Sequence, residues 1–339
     1  MLKSLYKYTS FRPAFFSNLL VRGSQKFALN DPFEMTPGAK KRMAKNDPRD
    51  AYFDYAIFSL SETKNNLLMW SHYSDEHKGI VVEFDTNVPI FERKYFKDER
   101  VLEISNIGLE NYEEIDANEH WLGADSEEVF VDLDATKTIR LINPGVPHRV
   151  LYNSERPSFD NFDSILEHFL VKSDEWIYEK EHRIILPLID VDKLNVCETY
   201  DKHITGDSYW FYESLSEFSK NGRLLVSFQD IIEEELTHAH RCIIDPSRSR
   251  DEKEYCDNYK RARYGHSIFK LSKDPTSIFL YKLNPKSIKS ISMGARMNEE
   301  SKRKLICELN KNDCLCDVTL YESYLSTSRF EVKFRVVNR

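Results

Sequence analysis

Apolar positions in this chain fall into short runs separated by turn residues, and the clearest is Ile80-Val81-Val82-Glu83-Phe84 after Gly79, a strand pattern. Leu5-Tyr6-Lys7-Tyr8 reads as a first short strand. Thr9-Ser10 then cap an apolar helix that starts near Pro13, runs through Val21 and ends at Gly23. A second short strand is expected near Phe27-Ala28-Leu29, followed by strong turn chemistry in Asn30-Asp31-Pro32-Phe33-Glu34. Ala56 to Leu60 is strand-like, and Asn65 to Tyr73 fits a helix with Leu68, Trp70 and Tyr73 near its buried side. His148 to Tyr152 resumes strand character. Phe159 to Lys172 has the spacing of an amphipathic helix, with Phe162, Ile165, Leu166 and Phe169 in phase.

Ile184-Ile185-Leu186 is the next apolar run, and a helix is expected from about Ile231 to Cys242. From Ser277 the pattern predicts two strands up to Gly294, a helix over Asn298 to Leu309, and strands near Asp317 to Tyr321 and Arg329 to Val337. Short strands of irregular spacing with scattered helices indicate an α+β fold, because the regular alternation of a doubly wound parallel sheet is missing. The chain reads as a single domain over 1–339, with an acidic insertion at 108–146 and a second insertion at 195–265. A basic strand-helix-strand segment occupies 277–339. There is no internal repeat.

Composition narrows the class. The 339 residues are 41% apolar and 13% aromatic, enough for one large core. No apolar run approaches the roughly 20 residues that span a bilayer, so no membrane partner is expected. Six cysteines without framework spacing, and an N-terminal stretch broken by Arg12 and Pro13, predict a cytoplasmic protein. The net charge of −8 is uneven: Lys260 to Arg339 carries 17 Lys/Arg against 8 Asp/Glu. Such a basic quarter, with Lys302-Arg303-Lys304 and Lys260-Arg261-Arg263 at its centre, suits an acidic partner such as nucleic acid, and Tyr264, Phe269 and Tyr281 are candidates to stack bases.

The ten glycines are so dispersed that G-x-G-x-x-G and the P-loop are both absent. His238-x-His240-x-Cys242 sits in an expected helix, where positions two apart diverge by about 200°, so the three cannot share one metal ion. Cys314-x-Cys316 lacks a second pair. Asp54, Glu62 and Lys64 faintly echo a magnesium nuclease triad. The richest stretch is Trp176-Ile177-Tyr178-Glu179-Lys180-Glu181-His182-Arg183. At the mouth of an apolar strand-type run, Glu179 and Glu181 project to the same side of an extended backbone, beside aromatic surface and fixed positive charge. The functional reading is a ligand with a flat ring, hydroxyls and phosphates. The bland one is a solvated pair with Arg183 as ion partner.

Several of these motifs together resemble the bacterial family called domain of unknown function 2971. They are Leu5 to Tyr8, Asn30 to Glu34, Met69-Trp70-Ser71-His72-Tyr73, Lys78-Gly79-Ile80 with Glu83-Phe84, Trp176 to Arg183, and Ile288-x-x-Ile291-x-x-Gly294-x-Arg296. The order of a strand ending in Tyr-Thr, a helix ending in glycine, a second strand and a late glutamate opening a strand is also similar to ADP-ribosyltransferase-like toxins. Glu179-Lys180-Glu181 matches the E-x-E of one branch. Phe58-Ser59-Leu60-Ser61 only approximates its S-T-S strand, and Tyr8 stands where another branch has histidine.

That second resemblance implies a core of short mixed strands with flanking helices that uses NAD as substrate and needs no metal. ADP-ribose would pass to a nucleic-acid or protein acceptor, in a toxin-like or phage-defence role with an antitoxin or chaperone partner. It implies that Glu181 stabilises the ribosyl cation and Glu179 orients or deprotonates the acceptor. Tyr6, Tyr8, Trp70 and Tyr73 would hold the rings, Thr9 would close the first strand's motif, and Lys7 or Arg183 would face the pyrophosphate. The competing classes are a non-catalytic nucleotide-sensing or interaction module and a metal-dependent nuclease.

Overall fold

The computed structural model describes residues 3–36, 52–92, 145–157, 165–197, 216–218, 222–231 and 264–339. Within them an eight-stranded mixed sheet carries most of the sequence motifs. Its strands are β1 (Ser4–Thr9), β3 (Tyr55–Ser61), β4 (Ile80–Asp85), β5 (His148–Arg149), β8 (Glu181–Pro187), β13 (Ile288–Met293), β14 (Thr319–Leu325) and β15 (Val332–Val336). The order across it is β15-β14-β13-β4-β1-β3-β8-β5. All neighbours are antiparallel except β13 and β14.

A five-stranded sheet is built from β2 (Leu20–Gly23), β9 (Lys193–Cys197), β10 (Ser216–Phe218), β11 (Arg223–Val226) and β12 (Ile278–Lys282). A small parallel pair joins β6 (Leu151–Asn153) to β7 (Val171–Ser173). Helices are few among the described residues: α1 (Ala14–Asn18), α2 (Leu67–Tyr73), α3 over 264–272 and α4 (Glu299–Asn310) are the main ones. The fold class is α+β.

Alternation puts Leu5, Phe58, Leu60, Val82, Phe84, Ile184 and Leu186 on one face of the large sheet, where they share a core with Leu194, Val196, Leu224 and Phe279 of the second sheet. A two-way backbone bridge between Ser24 and Ile57 ties the two sheets at 2.8 and 2.9 Å. A Cβ at Gly23 would stand 3.0 Å from the Ala56 Cβ of β3, and 2.6 Å from the Tyr281 ring of its own sheet, so that glycine permits the close approach of the two sheets. The opposite face is covered by α2 through Met69 and Trp70, and farther along by Phe169 and Leu170.

The structure departs from the sequence pattern at several points. α1 stops at Asn18 because Leu19 turns left-handed (φ 53°) and the Asn18 side chain accepts from Leu20 N at 2.9 Å, sending the chain into β2. Phe27 lies in a 3-10 turn, Lys26–Ala28, rather than a strand. The described end of the expected 159–172 helix is a 3-10 segment, Ile165–Leu170, that gives way to β7. Leu68 faces solvent on α2.

Residues 195–197 and 223–226 of the expected second insertion are built into the five-stranded sheet, with Leu224 and Val226 fully buried. The acidic insertion, apart from 145–146, lies outside the described residues, as do His238, His240 and Cys242. Cys314 lies within a 3-10 turn, Asp313–Leu315, that Cys316 follows, and both are exposed. α4 begins one residue after the expected Asn298, whose side chain caps it by accepting from Ser301 N at 2.8 Å.

Gly79 and Gly294 explain two of the motif glycines. Gly294 N donates to Gly79 O at 2.9 Å, and Arg296 N to His77 O at 2.9 Å. A Cβ at Gly294 would lie 2.1 Å from His77 O, and one at Gly79 2.3 Å from Thr9 O. Only glycine allows these backbones to touch.

Candidate functional site

Glu179 and Glu181 do not sit on one extended segment. Glu179 ends a 3-10 turn (Asp174–Glu179), Lys180 adopts a left-handed conformation (φ 45°), and Glu181 opens β8. The corner is pinned from β3 and β6: Ser61 Oγ donates to Glu179 O (2.7 Å), Glu62 N to Lys180 O (3.1 Å), and Glu181 N to Tyr152 Oη (2.8 Å).

The two carboxylates nonetheless converge, on a lysine. Lys172 Nζ, from the middle of β7, reaches Glu179 Oε2 at 2.6 Å, Glu181 Oε2 at 3.2 Å and Glu34 Oε1 at 3.3 Å. Arg183 donates to both oxygens of Glu181 (2.8 and 3.0 Å), to Phe169 O (2.7 Å) and to Glu34. Tyr73 Oη donates to Glu179 Oε1 at 2.5 Å. Glu34, Lys172, Glu179, Glu181 and Arg183 are all buried. Charges so far from water need partners of opposite sign, and each has one here.

The environment drives the two glutamates apart. Burial and the neighbouring Glu181 carboxylate raise the Glu179 carboxyl, against the pull of Lys172. Burial also opposes ionisation of Glu181, but Arg183 and Lys172 outweigh it and hold the group below the usual carboxylate range. Burial likewise pulls the Lys7 ammonium down to about 8, although Glu181 and Glu179 act to raise it. Lys7 donates to Ser59 O at 2.9 Å and lies 4.7 Å from the Phe58 ring centroid. Burial and Glu179 push the Tyr73 phenol up.

The sheet register sets this cluster in a row. Ser290, Glu83, Tyr6, Ser61 and Glu181 are successive cross-strand partners on β13, β4, β1, β3 and β8. Directly opposed residues share a face. Past Leu60 and His182, Ser59 and Arg183 form the next opposed pair on the same face.

Among the residues expected to hold rings, Tyr73 meets the cluster and Tyr6 lies half-buried in the row. Tyr8 and Trp70 do not offer ring faces to a ligand. They are buried against each other, with Tyr8 Oη donating to Thr63 O (2.7 Å) and Trp70 Nε1 to Lys64 O (2.8 Å). Thr9 ends β1 opposite Ile80, with its hydroxyl bonded to Ser10 O. Arg183, expected at a pyrophosphate, is instead committed to Glu181 and Glu34. Trp176 is half-buried and lies 4.6 Å beneath Lys172 Nζ.

Lys172, Glu34 and Tyr152 were missed by sequence reading. Glu34 stood within a quoted motif but read as a turn residue, and Lys172 read as the end of a helix. Asp54 and Glu62 stand at opposite ends of β3, about 25 Å apart at strand rise, and so do not converge on one magnesium ion. No group of three His, Cys, Asp or Glu arranged for a metal occurs among the described residues.

The basic quarter is also more committed than its charge suggests. Lys302 is paired with Glu299 and Glu322 (both 2.7 Å), and Arg335 with Glu322. Tyr264 and Tyr281 are buried and cannot stack bases. Lys260, Arg261 and Arg263 lie outside the described residues. No described helix is long and apolar enough to cross a membrane.

Comparison with known proteins places the central stretch. The model of a family described as "Protein of unknown function (DUF2971)" matches residues 69–184, from α2 to the opening of β8. The chain carries a DUF2971 region. Within it fall Tyr73, Lys172, Glu179, Glu181 and Arg183, while Tyr6 and Glu34 come from the preceding part of the chain. No curated protein and no solved structure gives a significant match.

Proposed function

We propose that the Glu179–Glu181 site acts on NAD, breaking the nicotinamide–ribose bond and transferring ADP-ribose to a macromolecule. The observation that carries this reading is the row Tyr6–Ser61–Glu181 across three adjacent strands. Those three strands hold the residues that resemble the transferase motifs. The split between the glutamates supports it, since paired carboxylates with diverging environments divide acid–base and electrostatic roles.

In this reading Glu181, held ionised by Arg183 and Lys172, supplies fixed negative charge to the ribosyl cation as nicotinamide leaves with the bonding electrons. Glu179 takes the proton of the acceptor as its nucleophile joins C1′. Tyr73, bonded to Glu179, and Trp176, beneath Lys172, border the two glutamates where the substrate's rings would lie. A toxin-like or phage-defence role rests on the resemblance alone.

The test is mass spectrometry of NAD incubated with the protein and mixed RNA, DNA and protein. Free nicotinamide and an ADP-ribosylated acceptor are expected, with turnover falling about 10²–10³-fold in Glu179→Gln. Intact NAD throughout would reject the reading. A second reading, a non-catalytic nucleotide-sensing module, is favoured by the full internal pairing of the buried charges. Saturable NAD binding without turnover would select it.

A further inference from the structure

A groove of about 560 Å³ opens between the β3–α2 loop and the β14–β15 hairpin, at the Tyr6 end of the row. Its wall includes Tyr6, Thr63, Lys64, Tyr324, Lys333 and Phe334. That volume lies within the range of small-molecule sites. We propose that this groove binds a phosphate ester with a flat ring, of mononucleotide size.

Three observations support this, and only the Tyr6 ring is shared with the NAD reading. Lys64 Nζ rests 4.6 Å from the Tyr321 ring centroid and 4.7 Å from that of Phe334. Among the described residues no carboxylate lies within ion-pair distance of it. An ammonium positioned by two ring faces, without a fixed anion, is a ready partner for a phosphate. Lys333 adds a second ammonium on the wall, paired to Glu331 at 3.2 Å. Glu62, the acidic residue of the wall, is drawn toward Arg149 (3.4 Å) and His182 (3.8 Å).

Thr63 supplies the second observation. Its Oγ1 is buried and has no hydrogen-bond partner, which is uncommon for a buried hydroxyl. The loop around it is held in place: Thr63 O accepts from Tyr8 Oη, and Thr63 N donates to Ser61 Oγ at 3.3 Å. Thr63 therefore sets an unused, buried hydroxyl on a fixed backbone behind the groove wall that the residue helps to line. The third is the ring surface: Tyr324 is 43% exposed, and Tyr6 lies half-buried at the inner end. Together these give a phosphate end and a ring end.

The experiment is isothermal titration of the full chain with AMP, adenosine and inorganic phosphate at low and high salt. Lys64→Met keeps the apolar stem on the rings and removes the charge, Lys64→Arg restores it, and Arg303→Met on α4 serves as a surface control. AMP is expected to bind saturably, at least about tenfold more tightly than adenosine or phosphate alone. Affinity is expected to fall at least about tenfold in Lys64→Met and with added salt, to recover in Lys64→Arg, and to be unchanged in Arg303→Met. Thermal melting confirms that each variant is folded. Absence of saturable AMP binding at millimolar concentration overturns the proposal, as does wild-type affinity in folded Lys64→Met. Loss of NAD turnover with AMP binding intact would leave this site standing while the NAD reading falls.

Discussion

Arg183 and Glu181, two residues apart on one face of β8, are joined by two hydrogen bonds, Nε to Oε1 at 2.8 Å and Nη2 to Oε2 at 3.0 Å. A catalytic carboxylate on an open strand end would leave the fold unharmed when neutralised, and the bare motif suggests as much. The fork makes the opposite case.

Glu181→Gln leaves Arg183 and Lys172 buried with less countercharge. Breaking one partner of a buried pair costs about 3–5 kcal/mol. Chemical denaturation should show a loss of that size. Wild-type stability would mean that water reaches the cluster. Glu179→Gln should cost less, because burial already disfavours its ionised form.

Trp176→Ala should cost less than the roughly 3–5 kcal/mol of a full core tryptophan. The ring is half-buried and its main partner is the Lys172 ammonium, a contact worth up to about 2 kcal/mol when desolvated. A loss of full core size in denaturant titration would show that the indole packs as core.

Gly294→Ala should destabilise by about 3 kcal/mol, since the new Cβ meets His77 O at 2.1 Å and both sides of the clash are backbone. Gly265→Ala, whose Cβ would meet nothing within 4 Å, should be neutral or better. Equal melting temperatures for the two variants would show that the 77–79 loop yields readily.

His168 sets an acid limit. It is buried against Tyr52, and burial lowers its imidazole from 6.5 to about 4. The unfolded chain therefore binds the proton first. Stability should fall as pH drops from about 6.5 to about 4, by about 3 kcal/mol in total from this group, with no further loss below that. His168→Gln should flatten that window in denaturation midpoints measured against pH. An unchanged slope would assign the acid sensitivity to other groups.

Elements whose signal is local were readable in the sequence. Ile80 to Phe84 announces β4, and Asn298 announces the start of α4. The Glu179/Glu181 pair was legible as chemistry but not as geometry: a left-handed Lys180 carries no sequence mark, so a corner passed for a strand. Leu19 hid the end of α1 in the same way. Glu34 and Lys172 were illegible because only folding brings them together, 138 positions apart, at 3.3 Å. Tyr8 and Trp70 misled because an aromatic motif fits a core as well as a pocket, and only their hydrogen bonds to Thr63 and Lys64 decide between the two.

β4 lies between β1, the first strand, and β13, which begins at Ile288. As the chain emerges from the ribosome, β4 can pair with β1 early, but its other edge stays open until some two hundred further residues are made. An unpaired apolar edge invites pairing with other chains. Premature termination before Ile288 should therefore yield a sticky fragment rather than a smaller folded protein. The Gly79–Gly294 contact acts as the latch that closes this edge once β13 has been made.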